Sequence, residues 1–169
     1  MRARTMIAAT AVATAVAAAG LGGTAAQAAI TCTWGGTPAE PTGWVEYTGA
    51  QGLNNTPSDR ALPLKATGPL GGGCSGSFTY KGEQNALSSC AVGTFEAAAI
   101  GITGVAYSAG VSGAGLVPAN LYNRKGELVG QEHPQLLTDG VEEENLGFMS
   151  CNTPQGFMGG KFSSVIELF

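Results

Sequence analysis

Beyond residue 28, apolar and polar positions alternate every two residues in short runs, and glycines and prolines interrupt the runs repeatedly. In GWVEYT, Val45 and Tyr47 fall on one face while Trp44, Glu46 and Thr48 fall on the other. In GSFTYKG, Phe78 and Tyr80 oppose Thr79 and Lys81. Further along, GVAYSAGVS places Val105, Tyr107, Ala109 and Val111 on one side, with small or hydroxyl residues on the other. No segment of a dozen residues in this part carries a clear 3.6-residue apolar period. The pattern predicts an all-β fold, a single antiparallel β-barrel or β-sandwich.

Two segments sharpen that expectation. NLYNRKGELVG predicts a hairpin in which Asn123-Arg124-Lys125-Gly126 forms a type I turn with Gly126 left-handed, and Arg124 and Lys125 are a solvated tip. In the closing KFSSVIELF, Phe162, Ile166 and Leu168 share one parity while Val165 and Phe169 take the other, as in a strand covered on both faces. Such a terminal strand needs neighbours, and pairing with the start of the domain would remove an open edge. The Gly/Ala-rich run from Glu96 to Gly115 reads as tightly packed strands, because a flexible linker gains nothing from Ile100, Ile102, Val105, Tyr107 and Val111.

The first 28 residues change the picture of where the protein works. Arg2 and Arg4, a long Ala/Val run and the small-residue site Ala26-Gln27-Ala28 are the charged, apolar and cleavable parts of a secretory signal peptide (1–28). The apolar run is Ala-dominated and broken by glycines, which disfavours a membrane span. Arg2 and Arg4 are not adjacent, and Ile30-Thr31 precedes Cys32, so neither twin-arginine export nor a lipid-modified cysteine is indicated. Removing 28 of 169 residues leaves 141, a length suited to one domain (29–169), expected to be secreted, monomeric and free of the membrane. Six basic side chains then face twelve acidic ones, a formal charge of −6 with histidine neutral. That balance excludes nucleic acid as a partner and points to neutral, cationic or apolar ones.

All four cysteines lie in the exported part, and an even count there predicts two disulfides. Three pairings are possible. The favoured one is Cys74–Cys90 as a short loop and Cys32–Cys151 as a clasp between the two ends of the domain. Zinc is disfavoured, because no CxxC pair exists and the single histidine, His133, sits beside a proline.

Catalytic chemistry leaves few marks. A serine triad would rest on His133 with Asp139 and a serine such as Ser75, Ser77 or Ser112, yet no GxSxG is present. Two carboxylates can hydrolyse glycosides without histidine, and Glu46, Glu83, Glu96 and Glu167 are the strand-associated candidates, although no spacing selects a pair. The cluster Asp139, Glu142, Glu143 and Glu144 lacks the ligand spacing of a calcium loop and reads as a solvated turn. No metal or cofactor is expected. Trp34, near one end of the expected clasp, and Phe157 and Met158, near the other, are candidate ligand-binding residues at one mouth of the domain. A core plug is the competing reading for the aromatics.

The pieces CTWGGTP, GPLGGGCSG, LVPANLYNRKGELVG and CNTPQGFMGGKFSSVIELF, which together touch most of the exported chain, resemble those of a group of small secreted actinobacterial proteins. The resemblance implies secretion and a disulfide-linked β-domain, and it transfers no catalytic residue. Likeness to acidic actinobacterial carriers of the neocarzinostatin type is one of class alone, since their cysteine loops are both short. The sequence therefore predicts a secreted, non-enzymatic binding protein for a small apolar molecule or another exported protein. A small carboxylate-based hydrolase, with an acid pair in a cleft, is the alternative.

Overall fold

The computed structural model describes residues 29–112, 117–138 and 149–169. The strands are β1 (Ile30–Trp34), β2 (Gly43–Tyr47), β3 (Leu62–Gly72), β4 (Ser77–Gln84), β5 (Gly93–Ile100), β6 (Tyr107–Ser112), β7 (Ala119–Tyr122), β8 (Leu128–Leu137) and β9 (Gly159–Leu168). A 3₁₀ turn, Met149–Asn152, is the one helical element among the described residues. All pairings are antiparallel, and the circuit β3-β2-β9-β8-β7-β6-β5-β4 closes through a β3–β4 register running from Leu62↔Gln84 to Pro69↔Ser77. The result is a closed eight-stranded barrel with one extra strand. Closure settles the choice between barrel and sandwich and leaves no free edge in the circuit.

The extra strand is the other half of an interrupted one. β1 and β2 occupy the same slot between β3 and β9: Trp34 pairs with Leu70 and Ser164, and Trp44 pairs with Thr67 and Lys161. Between them the chain leaves the wall and returns, with the amides of Thr42 and Gly43 both donating to the carbonyl of Gly35. Gly35 has φ +74°, a conformation that a side chain there would oppose. The predicted contact between chain end and domain start is present, since Ile30↔Leu168 through Trp34↔Ser164 are paired. The Phe169 amide continues the wall by donating to Val129, while its ring remains exposed.

The alternating strands face as expected in β2 and β4, where Tyr47, Phe78 and Tyr80 are buried and Val45 is partly so. The hairpin also forms, with Gly126 at φ +82° and a bulge between Leu121 and Tyr122. In β6 the alternation is present but its sense is reversed. Ser108 is fully buried, whereas Tyr107 is exposed on the outer face. Packing explains the reversal: Phe95 points inward from β5, and its register partner on β6 is Gly110, which is paired in turn with Ala119. A β-carbon on Gly110 would lie 3.3 Å from the Phe95 ring. Small inward residues on β6 and β7 thus make room for a large one on β5, and Tyr107 instead stacks outside on Tyr122 at 4.9 Å.

The disulfides differ from the favoured pairing. They are Cys32–Cys74 and Cys90–Cys151, so neither the short Cys74–Cys90 loop nor the Cys32–Cys151 clasp exists. The barrel register supplies the reason. Cys32 lies opposite Gly72, two residues from Cys74, and opposite Ile166 on β9. Cys151 precedes β9 and therefore belongs to the opposite end of that strand. Cys74 and Cys90 flank β4, whose eight residues hold them roughly 25 Å apart. Each bond staples one end of the barrel, and hydrogen bonding between β1 and β9 does what the clasp was expected to do.

Candidate functional site: a cavity in one end of the barrel

The two ends are built differently. Towards the Cys32–Cys74 end, Cys32, Phe78, Leu121 and Ile166 are fully buried and fill the interior. Towards the Cys90–Cys151 end the barrel holds a cavity of about 150 Å³. It runs from Trp34, Tyr80 and Glu132 at mid-barrel to Leu53, Leu137 and Phe157 near the rim. A cavity of this size has room for a single aromatic ring.

The floor is aromatic. Trp34 packs edge-on against Phe78, Tyr80 and Phe162 at centroid separations of 5.1, 4.8 and 4.4 Å. Its indole N–H donates to the carbonyl oxygen of Phe78 at 2.9 Å, which satisfies the one polar group of a buried side chain. Phe157 is held at the rim by the Leu53↔Phe157 bridge and meets the Tyr47 ring edge-on at 6.1 Å. Trp34 and Phe157 therefore both line the cavity, one at its floor and one near its opening. Met158 does not line it: its side chain is 36% exposed, and its carbonyl accepts from the Tyr47 amide.

Five polar side chains, Tyr47, Tyr80, Gln84, Ser112 and Glu132, break the apolar lining. The Tyr47 hydroxyl donates to Oε1 of Gln84 at 3.1 Å, and Nε2 of Gln84 donates to the Ser112 hydroxyl. Deeper lies Glu132 on β8, only 6% exposed. Ser164 donates to its Oε1 at 2.6 Å, and the Tyr80 hydroxyl reaches its Oε2 at 3.5 Å. Burial raises the Glu132 carboxyl to about 7, partly offset by the Ser164 and Tyr80 hydrogen bonds. Burial also pushes the Tyr47 and Tyr80 phenols up, and for Tyr80 the neighbouring Glu132 charge adds to the effect.

Glu132 was not among the carboxylates that the sequence singles out. Those stand on or outside the wall. Glu46 pairs with Lys65 at 3.7 Å, Glu83 and Glu96 face each other across exposed positions of β4 and β5, and Glu167 lies 3.8 Å from His133. Glu132 is the one carboxyl among the described residues that line the cavity. A usable signal was its parity with Gly130 and its place opposite Ala119 in the hairpin, since that face carries Leu121 inward.

His133 alternates with Glu132 and so points away from the cavity that Ser112 lines, while Ser75 and Ser77 belong to the far end of the barrel. Asp139 and Glu142–Glu144 lie outside the described residues, and among those described no group of three His, Cys, Asp or Glu side chains could hold a metal. No described helix is long and apolar enough to cross a membrane. Comparison with protein-family models, curated proteins and solved structures finds no match to this chain.

Proposed function

We propose that this is a secreted binding protein that carries one small, mainly apolar molecule inside its barrel. The observation that supports this reading is the contrast between the two ends, one packed solid and the other hollow. Folding favours filled interiors, because side chains that line unfilled space forfeit packing contacts. A barrel that leaves this volume open among Trp34, Tyr80, Phe157 and Phe162 has the interior of a receptor for a compact hydrophobe. Two disulfides fit an extracellular protein, and the charged, apolar and cleavable order of residues 1–28 supports export.

Native mass spectra of the protein from the culture medium of its own source, beside denatured spectra of the same sample, test the reading. The expected result is a complex heavier than the denatured chain by one small molecule. A complex with a second polypeptide and no small molecule would move the function to a protein partner. The gripping surface would then be the Cys90-anchored loop on which Leu87 stands 78% exposed.

A further inference from the structure

Within the carrier reading, Glu132 makes the cavity chemically selective. An ionised carboxylate offers about four lone-pair positions to donors. The described residues supply two hydroxyls, one at 2.6 Å from Ser164 and a long one at 3.5 Å from Tyr80. Among the described residues no cation reaches it. The nearest neighbours along β8, Gln131 and His133, alternate to the outer face, and β7 presents Ala119 opposite Glu132. β9 presents Ser164 and Phe162, β5 presents Phe95, and β3 presents Leu64 and Ala66. The titratable groups that share the cavity with Glu132 are the Tyr47 and Tyr80 phenols, which stay neutral.

A buried acid with no counter-charge, aimed into an aromatic-walled cavity, is half of an ion pair. Ionised and unpaired, it destabilises the folded state, and a cation delivered beside it removes that penalty. Aromatic faces add attraction for the same charge. An anionic ligand would be repelled, and a pure hydrocarbon would leave the carboxyl unanswered. We propose that the cavity's ligand is a small apolar amine, held as its ammonium on the Glu132 carboxylate with its apolar body against Trp34, Phe157 and Phe162. The acidic balance of the chain, which favours approach of cations, agrees with this assignment.

Three probes of one size separate this inference from the reading beneath it: benzylamine, benzyl alcohol and toluene, titrated into the purified protein at pH 8 by calorimetry. Benzylamine is expected to bind at least about tenfold tighter than benzyl alcohol, and Glu132→Gln to erase that margin. In the unaltered protein, benzylamine affinity should fall by about tenfold per pH unit below about 7, where the ammonium must displace a proton from Glu132. Equal binding of amine and alcohol, with no pH dependence, would overturn the amine assignment and leave the carrier reading standing. Failure of all three probes to bind would overturn both. If Glu132→Gln does not fold, the pH profile decides alone, and a flat profile between pH 5.5 and 8 counts against the proposal.

Discussion

The Ser164 hydroxyl donates a 2.6 Å hydrogen bond to Oε1 of Glu132, and both side chains are buried inside the barrel. They come from adjacent strands, β8 and β9, and their meeting depends on the register that pairs Glu132 with Ile166 and Pro134 with Ser164. One hydroxyl and a distant phenol are thin support for a buried charge. Two consequences of that can be measured, and two more test the rest of the fold.

Stability should depend on pH through Glu132. Its carboxyl titrates near 7 in the folded protein against 4.5 for an unperturbed glutamate, so the folded state holds a proton that the unfolded state has lost. Stability from this group is therefore complete below about pH 4.5, declines as pH rises, and is gone above about pH 7. The full change is about 3 kcal/mol, read from urea midpoints between pH 4 and 8. Glu132→Gln should flatten that slope and raise stability at pH 8.

Ser164→Ala should act in the opposite sense on the same carboxyl. Without its closest donor the charged form loses support, so the Glu132 titration should move above 7, followed by carbon NMR of the side-chain carboxyl. The substitution should also cost about 1–2 kcal/mol at pH 8, where Glu132 is ionised.

The disulfides should stabilise by similar amounts because their loops are similar, spanning 42 and 61 positions. Loop-closure entropy gives about 4 kcal/mol for each. Paired Cys-to-Ala replacements and denaturant unfolding would measure this, and peptide mapping under non-reducing conditions should recover Cys32 with Cys74 and Cys90 with Cys151.

The two tryptophans should respond differently. Trp34→Phe removes an indole that fills the floor and leaves the Phe78 carbonyl without that donor, for a loss of about 2–3 kcal/mol. Trp44 is 39% exposed on the outer face, so Trp44→Phe should stay within about 0.5 kcal/mol of the parent. That variant also leaves Trp34 as the sole fluorescent tryptophan, reporting directly on the cavity.

The parts of this architecture that were legible in the sequence are those decided locally. Val45 with Tyr47, Phe78 with Tyr80, and the Asn123–Gly126 turn follow from two-residue alternation and from one glycine at positive φ. The disulfide pairing was not local: it depends on which strand ends the closed register brings together, and Cys32 meets the end of β3 rather than the segment before β9. The facing of β6 was hidden for the same reason, since Phe95 on the neighbouring strand decides that Gly110 and Ser108 turn inward. Glu132 was hidden because a charged residue inside a barrel contradicts the rule that makes alternation readable, and such exceptions gather where binding takes place. Trp34, Phe157 and Met158 were singled out from an expected clasp that does not form, and only Trp34 and Phe157 line the cavity. The register and the Leu53 bridge bring them to one cavity.

The central claim is that the hollow end of the barrel takes up a small apolar guest. Adding benzene to methyl-labelled protein and recording carbon–proton correlation spectra tests it most directly. The account predicts saturable shifts at Leu53, Leu64, Leu136 and Leu137, which line the cavity. Absent shifts at these methyls, or shifts confined to the exposed Leu87, Val92 and Ile100, would contradict it.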